Sequence, residues 1–218
     1  MPKAIIPVHL YGMPAKMKDI NEIAQKYAIP VIEDAAESLG SKYQSMATGT
    51  FGEMGILSFN GNKIITTSGG GAVVSDDEEF IREVRFLATQ ARDPAPHYEH
   101  SVIGFNYRLS NILAALGRGQ LRVLDERIRA RRRNFEYYTN ALGDLPGLRF
   151  MPEPAFGQGI RWLTCVTICK EEFGCDTDAI RCALENENIE TRPLWKPMHL
   201  QPLFQNYPYY GDHVAESL

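Results

Sequence analysis

The sequence has no apolar stretch near the roughly 20 residues that a helix needs to cross a bilayer. Its longest apolar runs are five to seven residues, such as 4–8, and no charged segment followed by an apolar one opens the chain. These absences predict a cytoplasmic protein with no membrane partner. Cysteine is scarce. Cys165, Cys169, Cys175 and Cys182 have no CxxC spacing, and no histidine pair stands at zinc-finger distance. That excludes a disulfide framework or a zinc module and predicts buried free thiols and no metal. Basic charge is not in surplus either: 23 Lys and Arg against 27 Asp and Glu leave a net charge of −4. Such a chain has no global field to hold a polyanion, so nucleic acid is excluded as the main partner. Neither GxGxxG after the first strand nor GxxxxGK[ST] occurs, which removes most support from a nicotinamide oxidoreductase or a P-loop protein.

What is present is an ordinary globular composition, 218 residues with 44% hydrophobic side chains, enough for one sizeable core or a domain and a half. The apolar run 4–8 is followed by Met13, Met17, Ile20, Ile23, Ala24 and Tyr27 at helical spacing, then by a second run over 29–32. Strand, helix and strand in that order predict a right-handed βαβ unit with parallel strands, and so an α/β protein. Two further short strands are expected over 54–59 and 71–74, and a helix through Phe80, Val84, Leu87 and Ala91. The aperiodic stretch 92–104, with Pro94, Pro96, His97 and His100, reads as a long loop. Ser110 is a plausible N-cap for one long helix reaching about Leu142, stopped by Leu145-Pro146-Gly147. A strand over 162–169, a helix from Asp176 or Thr177 to Leu184 and a strand over 189–192 complete a smaller α+β unit. The expected division is residues 1–130 and 131–218. Arg127, Arg129, Arg131, Arg132 and Arg133 lie on the long helix, where a solvated face, with Asp125 and Arg129 paired at i,i+4, competes with a subunit or anion contact.

Two places invite chemistry. Glu33 and Asp34 follow Val31-Ile32, at the carboxyl end of a parallel strand, where open α/β sheets bind their ligands. The alternative is a carboxylate capping the next turn through Ala35-Ala36. Lys63 stands in Ser58-Phe59-Asn60-Gly61-Asn62-Lys63, ahead of Ser68-Gly69-Gly70-Gly71. A loop lysine is ordinarily a solvated charge, but one desolvated at a sheet edge becomes a nucleophilic amine, and a glycine run admits close backbone approach.

Taken in order, Glu33-Asp34-Ala35-Ala36-Glu37-Ser38, Gly49-Thr50-Phe51-Gly52, Ser58 to Lys63 and Thr67-Ser68-Gly69-Gly70-Gly71-Ala72 resemble the core of the DegT/StrS sugar aminotransferases. The likeness continues through Gly104-Phe105-Asn106-Tyr107-Arg108-Leu109-Ser110-Asn111 and Arg192-Pro193-Leu194-Trp195-Lys196-Pro197-Met198-His199, so it covers essentially the whole chain. Val8-His9-Leu10-Tyr11-Gly12-Met13-Pro14 and 58–71 look most like the UDP-4-keto-sugar aminotransferases of bacillosamine-type pathways.

The resemblance implies a fold type I pyridoxal 5'-phosphate enzyme, with residues 1–130 as part of its large domain and 131–218 as part of its small one. Its mostly parallel large-domain sheet would be incomplete here. Lys63 would carry the cofactor as a Schiff base and, once displaced, move the proton between the donor carbon and the cofactor. Asp34 would pair with the pyridinium nitrogen; a buried carboxylate there raises that nitrogen's proton affinity and makes the ring an electron sink. Glu37 stands where the family commonly has Gln beside the 3'-oxygen. Ser58 would bond the phosphate, and Asn106 would reach the phosphate of a partner's cofactor, which implies a homodimer with shared sites. Arg108 and His199 would contact substrate. The implied reaction is transamination of a nucleotide-linked keto-sugar with glutamate as donor, in bacterial surface glycan biosynthesis.

A sugar dehydratase of the same fold would replace the lysine by histidine, so Lys63 counts against it. A non-catalytic, partner-binding fragment remains the alternative of another class. Family members are longer. The resemblance therefore places outside these residues an amino-terminal segment, with a helix N-terminus for the phosphate and an aromatic that stacks on the ring, and the end of the small domain. A sheet lacking part of its core would expose apolar edges, predicting dependence on oligomerisation.

Overall fold

The computed structural model describes residues 1–217. The chain forms two compact units, one of Met1–Glu136 with Pro152–Leu163, the other of Tyr137–Met151 and the chain from Thr164 onward.

In the first unit α1 (Met17–Tyr27) ends at Ala28, whose left-handed φ of 51° turns its N–H back onto the carbonyls of Ala24 and Gln25. β1 (Ile32–Asp34) follows. The run 4–8 expected as a strand pairs in parallel with this region only at isolated positions, Ile5 with Val31 and Val8 with Asp34. Pro7 lies between them and has no N–H to donate, so the ladder cannot run through.

A small hairpin, β2 (Lys42–Tyr43) and β3 (Met46–Ala47), precedes β4 (Met54–Ser58) and β5 (Gly71–Val74). The main sheet has the order β1-β4-β5; β1 and β4 are parallel, with Asp34 opposite Ile56, whereas β5 runs antiparallel to β4, with Gly71 opposite Ser58. Gly55, on β4, is crossed so closely by the 49–52 loop that any Cβ there would run into the Gly49 carbonyl.

α2 (Glu78–Ala88) is capped by Asp77, whose carboxylate accepts from the N–H groups of Glu79 and Phe80. The single helix expected from Ser110 onward is two, α3 (Asn111–Leu121), with Ser110 as its N-cap, and α4 (Leu124–Leu142). Gly117 and Gly119 lower helical propensity just ahead of the break. Past α4 the chain forms β6 (Leu148–Phe150), which belongs to the second unit, and returns to the first as β7 (Gly157–Gln158), antiparallel to β2. Tyr43 on β2 packs on Phe51 and Phe156, with ring centroids 5.5 and 5.3 Å away, and joins Met17, Ala24 and Val31 in the core.

In the second unit β6 pairs antiparallel with β8 (Val166–Ile168). The strand expected over 162–169 shrinks to these three residues because Trp162 is consumed by the interior of the first unit. Two helices follow, α5 (Lys170–Phe173) and α6 (Thr177–Asn186), the latter capped by Asp176 through the N–H of Ala179. Residues 189–192 form no strand; Arg192 turns back onto Glu190, and the stretch has no neighbouring ladder among the described residues. The cysteines are free but not buried: Cys182 is exposed and the other three half-buried. Every buried hydrophobic side chain among the described residues lies in the first unit, so the second has no dry interior to hide a thiol. Among the described residues, no helix is long and apolar enough to cross a membrane.

Candidate active site

Because β1 and β4 are parallel and β5 antiparallel, the end of β1, the end of β4 and the start of β5 meet at one edge of the sheet. Asp34, Ser58 and the glycine run therefore converge there, at the carboxyl edge where such sheets take their ligands. Asp34 Oδ1 accepts from the N–H of Ala36 at 3.1 Å, so the capping reading of this carboxylate holds for one oxygen. Oδ2 makes no hydrogen bond among the described residues. Ser58 Oγ accepts from the N–H of Asn60 at 3.4 Å, leaving its own O–H to donate.

The segment between β4 and β5 is closed at its base, where Phe59 N–H donates to the Gly70 carbonyl and Thr67 N–H to the Phe59 carbonyl, both at 2.9 Å. Gln120 of α3 grips it from the side, donating from Nε2 to the Thr66 carbonyl at 2.6 Å and accepting from the Thr66 N–H at 3.1 Å. Within this frame Lys63 is held by a turn, its N–H donating to the Asn60 carbonyl at 3.1 Å. Its side chain is only 12% exposed, with Nζ 3.7 Å from Oε1 of Glu37 and 4.2 Å from the centre of the Trp162 ring.

Glu37 is 8% exposed, and burial pushes its carboxyl above the ordinary value, with the negative Asp34 adding to the rise; the Tyr11 N–H and the Lys63 ammonium oppose it. The Tyr11 N–H reaches Glu37 Oε2 at 2.7 Å from a backbone in the left-handed region, φ 54°. That conformation is uncommon for a bulky residue, and it aims the donor at the carboxylate.

Glu33 is occupied by the protein's own donors. It accepts from His9 Nε2 and from the N–H groups of Gly49 and Gly52, at 2.9, 2.8 and 2.8 Å, and from the N–H of Phe51. Burial pushes its carboxyl up, but these donors together bring it below the ordinary value. His9 Nδ1 accepts from the Ala15 N–H at 3.0 Å, so the ring is neutral with its proton on Nε2. The Gly49-Thr50-Phe51-Gly52 motif is thus a cradle for a structural carboxylate.

Lys63, Glu37, Asp34 and Ser58 share this region, while Asn106 and Arg108 lie on an exposed stretch near the end of α2, where Asn106 bridges to Thr89. Phe105 and Tyr107 flank Asn106 and stack with centroids 5.1 Å apart. His199, in the second unit, stacks on Tyr209 at 3.8 Å and contacts the carboxylate of Glu216 through Nε2. Among the arginines of α4, Arg132 forms a two-pronged pair with Glu153, at 2.7 and 3.0 Å. Asp125 and Arg129, expected to pair, make no ion pair among the described residues; Arg127 and Arg131 line a cavity of about 300 Å³ with Gln120 and Ile64. Sequence reasoning missed Trp162, Gln120, Tyr11 and His9 as parts of the site. Trp162 is a hundred residues from the carbonyl it bonds, with no local spacing to announce it.

The model of the DegT/DnrJ/EryC1/StrS aminotransferase family matches residues 1–218. The chain belongs to this family. Among its relatives is "Putative pyridoxal phosphate-dependent aminotransferase EpsN" of Bacillus subtilis (strain 168), 59% identical over 218 residues, which are 100% of this chain and 55% of EpsN. The GDP-perosamine synthase of Caulobacter vibrioides is 39% identical over 99% of this chain and 58% of its own length. Among solved structures, Helicobacter pylori PseC, an aminotransferase involved in the biosynthesis of pseudoaminic acid, superposes with a TM-score of 0.88 at 25% identity, over 98% of this chain and 58% of PseC. The chain spans a little over half the length of the curated relatives it matches.

Aminotransferases of the DegT/DnrJ/EryC1/StrS family depend on pyridoxal phosphate, and the architecture is that of fold type I. The donor set of this chain suits that cofactor: a desolvated amine for its aldehyde, an uncommitted carboxylate oxygen for a ring nitrogen, and a hydroxyl donor for its anionic tail.

Proposed function

We propose that the protein transfers an amino group from glutamate to the keto carbon of a nucleotide-linked sugar of the UDP-4-keto-6-deoxy type, in the cytoplasm, as a step in surface glycan biosynthesis. The observation that carries this reading is the seating of Lys63 at the carboxyl edge of the sheet, 12% exposed and 3.7 Å from Glu37. Pyridoxal phosphate, when bound, supplies the electron sink that acidifies the amino donor's carbon-bound hydrogen.

The chain's own residues do the rest. Lys63 Nζ would hold the cofactor through its aldehyde and, when free, would take up and return the proton of the donor carbon. Asp34 Oδ2 keeps a proton on the ring nitrogen. The Ser58 hydroxyl donates to the phosphate, and Glu37 takes the place beside the 3'-oxygen. Support for a nucleotide sugar comes from relatives whose names specify perosamine linked to GDP and a step towards pseudoaminic acid.

The protein works as a homodimer in which Asn106 reaches the phosphate of the partner's cofactor, and Arg108 and His199 contact substrate. The exposure of Asn106 between the stacked Phe105 and Tyr107 favours such a contact. Ile103 and Ile112, close by in the sequence, are 86% and 76% exposed.

The test is to incubate the protein with pyridoxal phosphate, reduce with borohydride and map the phosphopyridoxyl adduct by peptide mass spectrometry. Stoichiometric labelling of Lys63 alone is expected. Scattered labelling of surface lysines, here and in a longer protein extended at its amino terminus, would refute the assignment.

A further inference from the structure

Lys63 Nζ has two neighbours. One is the Glu37 carboxylate, held in place by the Tyr11 N–H. The other is the face of Trp162, 1% exposed, whose indole Nε1–H donates to the carbonyl of Asn62 at 2.8 Å. Asn62 is the residue immediately before the lysine, so the ring is tied to the very turn that carries it. That hydrogen bond and the burial of the ring hold the indole face close to the root of the side chain. An aromatic face within about 6 Å of an ammonium attracts it, most strongly for tryptophan and most strongly where water is excluded. Lys63 Nζ lies inside that limit, at 4.2 Å.

We infer that Trp162 is a positioning residue for Lys63, its face serving with Glu37 as the seat that receives the free ammonium whenever the lysine is not joined to a carbonyl. The inference rests on the reading of Lys63 as the cofactor-bearing residue, and extends it. A displaced lysine must stay within reach of the atoms it serves, and a long, flexible side chain loses that reach by wandering among rotamers. The seat confines it. The charged groups around it are Glu37 and, next to Glu37, Asp34.

Fluorinated tryptophans test this, because fluorine drains charge from the ring face while barely changing its shape. With Trp195→Phe, Trp162 is the sole tryptophan. In the cofactor-free protein, the pH dependence of acetylation of each lysine by limiting anhydride, read by peptide mass spectrometry, reports the proton affinity of Lys63. Stepwise fluorination is expected to raise the neutral-pH reactivity of Lys63 by a total of about two- to thirty-fold, with other lysines and the melting temperature unmoved. A Lys63 whose reactivity stays constant across the series would overturn the inference, since a ring that merely fills space is equally well served by its fluorinated forms. Trp162→Phe, which keeps a weaker face but loses the bond to Asn62, is expected to move Lys63 in the same direction. Failure to form any adduct at Lys63 in the extended protein would refute the functional reading alone, because the acetylation series needs no cofactor.

Discussion

His9 donates from Nε2 to Oε2 of Glu33 across 2.9 Å, both side chains fully buried, directly behind the strand end that presents Asp34. The bond joins the segment before α1 to β1, and Glu33 adds the 49–52 loop through three backbone N–H groups. Glu33→Gln turns an amide N–H₂ towards donors that need an acceptor, and is expected to cost about 3 kcal/mol or more. His9→Ala leaves Glu33 its three backbone donors and should cost less, about 1–3 kcal/mol. Denaturant midpoints of the two variants check both values; a Glu33→Gln protein as stable as the parent would contradict the account.

In the first unit the pH response follows from three carboxyls. Glu33 is buried and Glu153 half-buried, which raises them, but their hydrogen bonds bring both below the ordinary 4.5. Their contribution is therefore complete above pH 4.5 and disappears as pH falls through their lowered values. Glu37 has the opposite sign: raised by burial, it favours the folded chain most below 4.5 and loses that contribution as pH climbs to its raised value. Relative to the parent, Glu37→Gln should gain stability between pH 4.5 and 7. Urea midpoints at the two pH values would show it, and a difference independent of pH would count against the assignment.

Gln120 grips Thr66 through both backbone groups. Gln120→Ala should cost about 1–2 kcal/mol and loosen the segment that carries Lys63. Hydrogen exchange at the Thr66 amide is the direct readout, expected to quicken while the amides of β4 hold. Unchanged protection at Thr66 would show that the grip is incidental.

Asp34→Ala is expected to leave the borohydride-trapped adduct at Lys63 in place but to slow the half-reaction with glutamate by about a hundredfold or more in the full-length enzyme. Loss of cofactor binding with no effect on the remaining chemistry would reverse the role given to this carboxylate.

Ile103 is 86% exposed beside the Phe105–Tyr107 stack. Placing a charge there by Ile103→Glu should shift sedimentation towards monomer without altering the melting of the first unit at high dilution. A variant that assembles like the parent would place the subunit contact elsewhere.

The linear order of residues was enough to put Asp34 at the end of a parallel strand, Ser58 at the end of another and Lys63 in the turn beyond it. It also identified Ser110 as a helix cap and narrowed the next one to Asp176 or Thr177, of which the structure takes Asp176, because a cap bonds the N–H two or three residues on and lies wholly within a local pattern. The quoted motifs, matched in order, carried the family. What local spacing does not contain is the choice of partner across the chain. The run 4–8 looks apolar enough for a strand, but Pro7 interrupts its ladder; 189–192 looks like one, but no neighbour lies alongside it. Trp162 reads as one position in an alternating strand, yet its indole bonds Asn62 and its face covers Lys63. Glu33 and Asp34 are adjacent and chemically alike in sequence. Only the pleat, which sends them to opposite faces of β1, makes one a buried tie and the other a group open to a ligand.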